Sequence, residues 1–584
     1  MEVFRKKFQA AKRAAKPWHG FVLLAVAVAV VVLVVPVVLT QERKRHRAED
    51  QEKPSDTASA RVNLGYAQYQ GSRVGGGVAQ YLGMRYAEAP VGDLRFRAPV
   101  EPAQHSGDQK ADAFGPICLG ISQPYPNARQ DEDCLYVNVW APLNATTESN
   151  LPVWLFIQGG GYTANSNANW NGTAVVERSN HSIVFVNFNY RVGLWGFIAS
   201  ERVRAAGAGD LNAGLLDQRQ VMRWVREHIA QFGGDPAHVV IHGASAGAGS
   251  VALHLLAPDE GLFVGAVGES VFFPAQPFVK DLEWQFDLLL NETGCGGDEP
   301  MDCLRGKTTE VLQAANVPSA FPGRPDLPAP LFYWTPCIDG ELLRDLPYLM
   351  YERGQFVNVP VMMGITSDEG TIFTANVATS TEMAVFLRNN YPLLSSTNAS
   401  AIVEQYPQMA ALPEHAAWFP SAAKAYGEAT FICPATHILD SYVQHRLNTS
   451  SSSSPARAWG YRYNVHDAEN TAKGLGVPHL WTSWAVLGPD INGRGTGPAS
   501  YYTYNAGMIP LVMDYWISFV KTLDPSALRN ADAPAWEGWG GTTTTDAKQR
   551  LMMETGNLTM EMVPLDQRAR CAFWKGLAPV MRQK

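Results

Sequence analysis

A run of small side chains, Gly243-Ala244-Ser245-Ala246-Gly247, lies between a short apolar run, Val239–Ile241, and a helix-forming stretch, Ala246–Ala257. A chain can turn this sharply from strand to helix only if the residues two before and two after the turn let neighbouring backbone pass close by. The serine then stands in a strained conformation at the end of the strand. The helix behind it aims its free N–H groups and positive dipole end at the space before the hydroxyl. This is what a serine nucleophile needs when negative charge develops on an adjacent oxygen. The alternative is a small-residue helix start that merely packs. A second feature, Gly159-Gly160-Gly161, follows Val153–Ile157 and Gln158. Three successive glycines cost backbone entropy. Amides that must reach a substrate oxygen with no side chain in the way account for them; a plain flexible loop is the alternative.

The surrounding pattern is α/β. Val153–Ile157 and Ile183–Phe188 are uninterrupted apolar runs of buried-strand length,. Leu215, Met222, Val225, Ile229 and Phe232 recur at helical spacing, so 212–232 is predicted as a helix on a sheet, ended by Gly233-Gly234-Asp235-Pro236,. Such alternation implies a mostly parallel central sheet covered by helices. The 584 residues allow one large domain or two, and 46% hydrophobic content with 16 Trp supplies a large core,. Residues 1–58 hold 11 Lys/Arg against 6 Asp/Glu, so the net charge of −8 leaves −13 on the remainder. An acidic body excludes a nucleic-acid binder.

Phe21 to Leu39 is an apolar run of 19 residues without a charge, long enough to cross a bilayer,. It is longer than a cleaved signal segment, and no A-x-A site follows. The reading is a basic cytosolic tail (1–20), a transmembrane signal anchor (21–40), a charged juxtamembrane stalk (41–58) and a globular remainder (59–584). Six basic residues before the run against four after it favour the N-terminus inside,. Sequons begin at Asn144, Asn171, Asn180, Asn291, Asn398, Asn448 and Asn557,. Seven cysteines lack metal-site spacing, and local pairs such as Cys295 and Cys303 suit disulfides; spacing alone does not fix the pairing,. Together these predict a single-pass type II membrane protein whose large domain is lumenal or extracellular. Ser450–Ser454 and Thr542–Thr545 read as loops,.

Further stretches carry a resemblance. Glu132-Asp133-Cys134-Leu135-Tyr136-Val137-Asn138-Val139, Asn189-Tyr190-Arg191-Val192-Gly193, Tyr86-Ala87-Glu88-Ala89-Pro90-Val91-Gly92, Phe232–Pro236 and the run from Tyr515-Trp516 to Asp524-Pro525 join the serine motif. With them the chain, from Val62 to Trp574, resembles the type-B carboxylesterases, the cholinesterase/carboxylesterase family, and its fungal members in particular. The resemblance implies one catalytic domain of the α/β-hydrolase fold. It implies an oxyanion hole from Gly160, Gly161 and the N–H of Ala246. It also implies disulfides Cys118–Cys134, Cys295–Cys303 and Cys433–Cys571, leaving Cys337 as a buried thiol.

A serine hydroxyl needs a base, and the base needs an acid to orient it; in this fold they follow in the order nucleophile, acid, histidine. Thr366-Ser367-Asp368-Glu369-Gly370 offers two carboxylates, between which the residues alone do not choose; the resemblance implies Glu369. Five histidines follow: His415, His437, His445, His466 and His479. His437 and His445 fall in a helical stretch. His466 ends the probable strand Gly460–Val465 and is the second candidate. His479 closes the loop Gly474-Leu475-Gly476-Val477-Pro478-His479, which can reach across a site, and the family pattern places its histidine there too.

The expected chemistry is therefore ester hydrolysis through an acyl-serine, with no metal and no cofactor. The alternatives are a catalytically silent adhesion or interaction ectodomain and a membrane-tethered lipase. Ala244 stands where the family commonly has Glu, and no Trp lies among the 15 residues between Cys118 and Cys134. Both departures weaken the attraction for a cationic alcohol, although Trp170 or Trp481 could substitute. The short loop also lacks the chain for a broad lid. The expected substrates are neutral esters with small or medium acyl groups. Phe272 and Phe273 are candidates for an acyl pocket or for core. Oligomeric state is not readable from the residues.

Overall fold

The computed structural model describes residues 60–324, 328–448, 458–540 and 548–584. The tail, anchor and stalk expected over 1–58 lie outside these residues, as do the Ser450–Ser454 and Thr542–Thr545 loops. Among the described residues no helix is long and apolar enough to cross a membrane.

A large mixed sheet organises the chain. Its centre runs Val184–Phe188, Leu151–Ile157, Gly234–Ala244, Gly265–Glu269, Val361–Thr366, Ala458–Tyr463 and Gln549–Glu554, each parallel to the next. Antiparallel strands flank it: Tyr136–Pro142, Val78–Arg85, Gln68–Val74 and Ala60–Asn63 in that order outward on one side, and Asn557–Met562 on the other. The parallel centre is covered on both faces, so VFVNF and VMMGIT are buried at every position,. The edge strand Asn557–Met562 (NLTMEM) has no buried residue, as an edge requires,.

The expected elements are present with shifted ends. The helix predicted over 212–232 is Ala213–His228 plus a tight turn Ile229–Phe232, stopped by Gly233 at φ 84°. The three-residue strand Val239–Ile241 is longer, Gly234–Ala244. Gly, Asp, Pro and His interrupt its apolar pattern, yet Gly234 pairs with Leu151, and His242 and Gly243 stay buried between the two neighbouring strands. Gly460–Val465 becomes Ala458–Tyr463.

The family-like motifs hold the first third of the domain together. Glu132 forms a buried pair with Arg95, and Asp133 takes both guanidinium nitrogens of Arg85 at 2.8 and 2.6 Å. Asp217, fully buried, accepts from the backbone N–H of Arg191 and twice from its side chain. A pair this buried is costly to break from one side only. The disulfides Cys118–Cys134, Cys295–Cys303 and Cys433–Cys571 are all formed, and Cys337 is a buried free thiol pushed well up by burial.

Candidate active site

The strand Gly234–Ala244 delivers Ser245, and the helix Ala246–Leu256 leaves from it. Ser245 has φ 57° and ψ −121°, a conformation rare for a non-glycine residue,. The tight turn is held by close approach. A Cβ on Gly243 would strike the Gly247 backbone, and one on Gly247 would strike the Ile157 carbonyl. The Ser245 N–H donates to the Glu269 carbonyl at 2.9 Å, which fixes the turn to the next strand.

The glycine triplet lies against this turn. A Cβ on Gly159 would come 2.6 Å from the Ala244 carbonyl and 2.8 Å from the Ser245 Cβ. Gly160 and Gly161 have φ 119° and 64°, and the Phe332 ring occupies the space a Gly161 side chain would need. The Gly159 N–H donates to Asn167 Oδ1 at 3.0 Å. No hydrogen bond among the described residues takes the amides of Gly160, Gly161 or Ala246. Three donors without partners beside one serine can together receive an oxyanion.

The acid and the base also meet. His479 Nδ1–H donates to Glu369 Oε2 at 2.5 Å, with both side chains buried. Glu369 Oε1 accepts the Thr366 N–H at 2.7 Å, so each of its oxygens is used. With the proton on Nδ1, Nε2 presents a lone pair; it is buried and has no partner,. The rings of Phe431 and Phe373 lie 4.5 and 4.9 Å from the imidazole.

The neighbouring carboxylate, Asp368, does something else. Its Oδ2 accepts the Val477 N–H at 2.8 Å and its N–H donates to the Val477 carbonyl at 3.0 Å, which anchors the loop just before His479. Burial raises its pKa. The other histidines are placed elsewhere. His466 is exposed. His437 is stacked 4.1 Å from Tyr348, His445 faces the Glu352 carbonyl, and His415 stacks on Phe419.

Phe272 and Phe273 part ways. Phe272 packs 4.6 Å from Phe332 and 5.6 Å from Phe431, within the aromatic group around the site, whereas Phe273 faces Tyr348 in the core. A cavity of about 360 Å³ opens beside His479, lined by Trp170, Trp481, Trp484, Asn167 and Asn470, with no acidic side chain in its wall. Among the described residues no cluster of His, Cys, Asp and Glu could hold a metal. The sequence reading missed Asn167, Phe332, Phe373 and Phe431, which reach the site only through tertiary packing.

Of the sequon asparagines, Asn144, Asn180, Asn291 and Asn557 are exposed and Asn171 and Asn398 half-buried. The side chain of Asn448 lies outside the described residues.

Residues 58–574 match the model of a family described as the carboxylesterase family. Lipase 2 and Lipase 4 of Diutina rugosa are each 32% identical over 364 residues, covering 56% of this chain and 66% of theirs. The chain thus spans just under two thirds of the length of these curated relatives. The crystal structure of Aspergillus niger EstA aligns with a TM-score of 0.85 at 48% identity, over 90% of this chain and 99% of that one.

Proposed function

The chain belongs to the carboxylesterase family, and from that premise we propose that it hydrolyses carboxylic esters through an acyl-enzyme on Ser245. Family, relatives and solved neighbour all support a carboxylic-ester hydrolase. The observation that carries the mechanism is the Glu369–His479 contact at 2.5 Å, which leaves a buried, unpartnered Nε2 as the base. His479 takes the serine proton as Ser245 attacks the ester carbonyl. The amides of Gly160, Gly161 and Ala246 receive the oxyanion. His479 then protonates the departing alcohol and activates the water that releases the acid. Ser245→Ala is expected to abolish fluorophosphonate labelling and to lower ester turnover by several powers of ten with the fold intact. Near-normal turnover in that folded variant refutes the assignment.

The proposed substrates are neutral esters with small or medium acyl groups. Support comes from Ala244 beside the nucleophile, the acid-free cavity next to His479 and the 16-residue span closed by Cys118–Cys134. Trp170 and Trp481 do line that cavity, so a cation–π contact with a cationic alcohol moiety is available, but no carboxylate in the wall adds to it,. The likeness to two proteins named as lipases makes a triglyceride emulsion a necessary arm of the assay. A silent adhesion ectodomain is not favoured, because serine, acid, histidine and glycine triplet are all present. Comparing kcat/KM for a short neutral ester, an acylcholine and an emulsion decides; a rate jump at the interface, or preference for the acylcholine, overturns the reading.

Residues 21–40 are proposed as a single signal anchor, with the catalytic domain lumenal or extracellular. The uncharged run, the disulfides and the exposed sequons support this. Glycosidase treatment should lower the apparent mass of the expressed protein; a domain without glycans, cleaved by protease from the cytosolic side, contradicts it.

A further inference from the structure

Glu269 ends the strand Gly265–Glu269 and is fully buried. It touches both halves of the site. Its backbone carbonyl accepts the Ser245 N–H at 2.9 Å. Its carboxylate Oε1 accepts the Ser483 hydroxyl at 2.5 Å. Ser483 lies four residues beyond His479 and opens the short helix Ser483–Val486; its own N–H donates to the Leu480 carbonyl at 3.1 Å. The histidine loop is therefore tied at both ends by carboxylates: by Asp368 before His479 and by Glu269 after it.

The second oxygen, Oε2, lies 3.3 Å from His242 Nε2, and both residues are fully buried. His242 sits three positions before the nucleophile on the same strand. Its Nδ1 accepts the Trp154 indole N–H at 3.0 Å, so the proton of the neutral ring must sit on Nε2, facing Glu269,. The other titratable groups that sense Glu269 are the buried phenols of Tyr461, Tyr463 and Tyr501, which burial raises first and the Glu269 charge raises further. Among the described residues no Lys or Arg is paired with Glu269. A buried carboxylate that receives the Ser483 hydroxyl on one oxygen and no hydrogen bond on the other is expensive to keep,, and packing alone gives no reason for it.

We propose that Glu269 is a positioning residue that locks the histidine loop to the nucleophile turn, with Ser483 as the link. The proposal rests on the reading of Ser245 and His479 as nucleophile and base. Loss of the link lets the imidazole drift relative to the serine, and misplacement on the ångström scale lowers turnover far more than binding.

The test uses the full chain with Ser483→Ala, Ser483→Thr, Glu269→Gln and the double variant Ser483→Ala/Glu269→Gln. Active sites are titrated with a fluorophosphonate, and kcat, KM and labelling rate are measured with a short neutral ester from pH 5 to 9. Ser483→Ala is expected to lower kcat per titrated site about tenfold with KM within about twofold, and Ser483→Thr to restore it. The double variant should be no worse than the poorer single one, because both remove one link. Glu269→Gln, which removes a nearby negative charge, should move the acidic limb of kcat/KM to lower pH. An unchanged kcat per titrated site in Ser483→Ala with an unmoved acidic limb in Glu269→Gln overturns the proposal, even if melting temperatures fall. Should Glu269→Gln not fold, the Ser483 pair decides alone. Failure of the underlying reading looks different: the wild type itself would not label at Ser245.

Discussion

Replacing Glu369 by glutamine is the sharpest perturbation of the site. The two side chains have nearly the same shape, so packing changes little. The hydrogen bonds do not survive as they are. Glu369 Oε1 accepts the Thr366 N–H at 2.7 Å and Oε2 accepts the His479 Nδ1–H at 2.5 Å. A glutamine has one acceptor and one donor for these places. If its oxygen faces Thr366, its NH2 faces His479 Nδ1. The imidazole must then carry its proton on Nε2, where it blocks transfer from the serine. If the amide is reversed, two donors meet at Thr366 in a fully buried place, at a cost of about 1–3 kcal/mol. The first arrangement is therefore preferred. Inverting the tautomer in a triad costs about 10⁴ in kcat, or about 5.5 kcal/mol of barrier at about 1.4 kcal/mol per tenfold. The assay is kcat and KM with a soluble ester at neutral pH, beside circular dichroism to show folding. Glu369→Asp keeps the charge and should retain more activity than Glu369→Gln. Asp368→Asn, which loosens only the loop anchor, should cost less than either. A folded Glu369→Gln enzyme within tenfold of wild type, or an Asp368→Asn enzyme more damaged than it, refutes the assignment of the acid.

Three further outcomes are expected. Burial drives the His437 imidazole down to about 4, against about 6.5 in an unfolded chain. Between these values only the unfolded state takes up the proton, so this contribution is complete above about pH 6.5 and is lost as pH falls, reaching about 3 kcal/mol; His437→Phe should flatten the acid dependence of the melting temperature. The Cys433–Cys571 bridge closes a separation of 138 residues and Cys295–Cys303 one of 8. Chain-entropy reasoning therefore makes Cys571→Ser about 2.5 kcal/mol more destabilising than Cys303→Ser in denaturant titrations, and equal losses contradict it. In Gly161→Ala the new methyl meets the Phe332 ring at φ 64°. It should lower kcat about a hundredfold by displacing an oxyanion donor, and unchanged kcat removes Gly161 from that role.

The serine turn and glycine triplet were legible because their chemistry needs local backbone, which leaves small residues at fixed spacing. The helix over 213–228 was legible from periodicity. The choice of Glu369 over Asp368 was not local: both stand on one loop, and only the fold shows that one meets His479 while the other meets Val477. The long strand Gly234–Ala244 was read short because Asp235–His238 form an irregularity in the pairing and His242–Ala244 pair through backbone, which leaves no side-chain pattern. Pairing of Cys433 with Cys571 could not follow from spacing, since it depends on two helices distant in sequence packing together. The Glu269–His242–Ser483 contacts had no sequence signal, because each residue alone reads as an ordinary polar side chain.

The order of strands also fixes when the enzyme can first work. The strand carrying Ser245 finds its neighbours once residue 269 has emerged, so the nucleophile turn can form early in synthesis. Ala458–Tyr463, which leads into the histidine loop, pairs on its far side with Gln549–Glu554. Until that last segment is made, the growing sheet ends in an apolar strand with unpaired backbone, a surface that invites aggregation. A ribosome-bound chain therefore holds its serine long before it holds the Glu369–His479 pair. Its vulnerable period closes only with the final hairpin, so C-terminal truncations should be lost as insoluble protein before they are seen as weak enzymes.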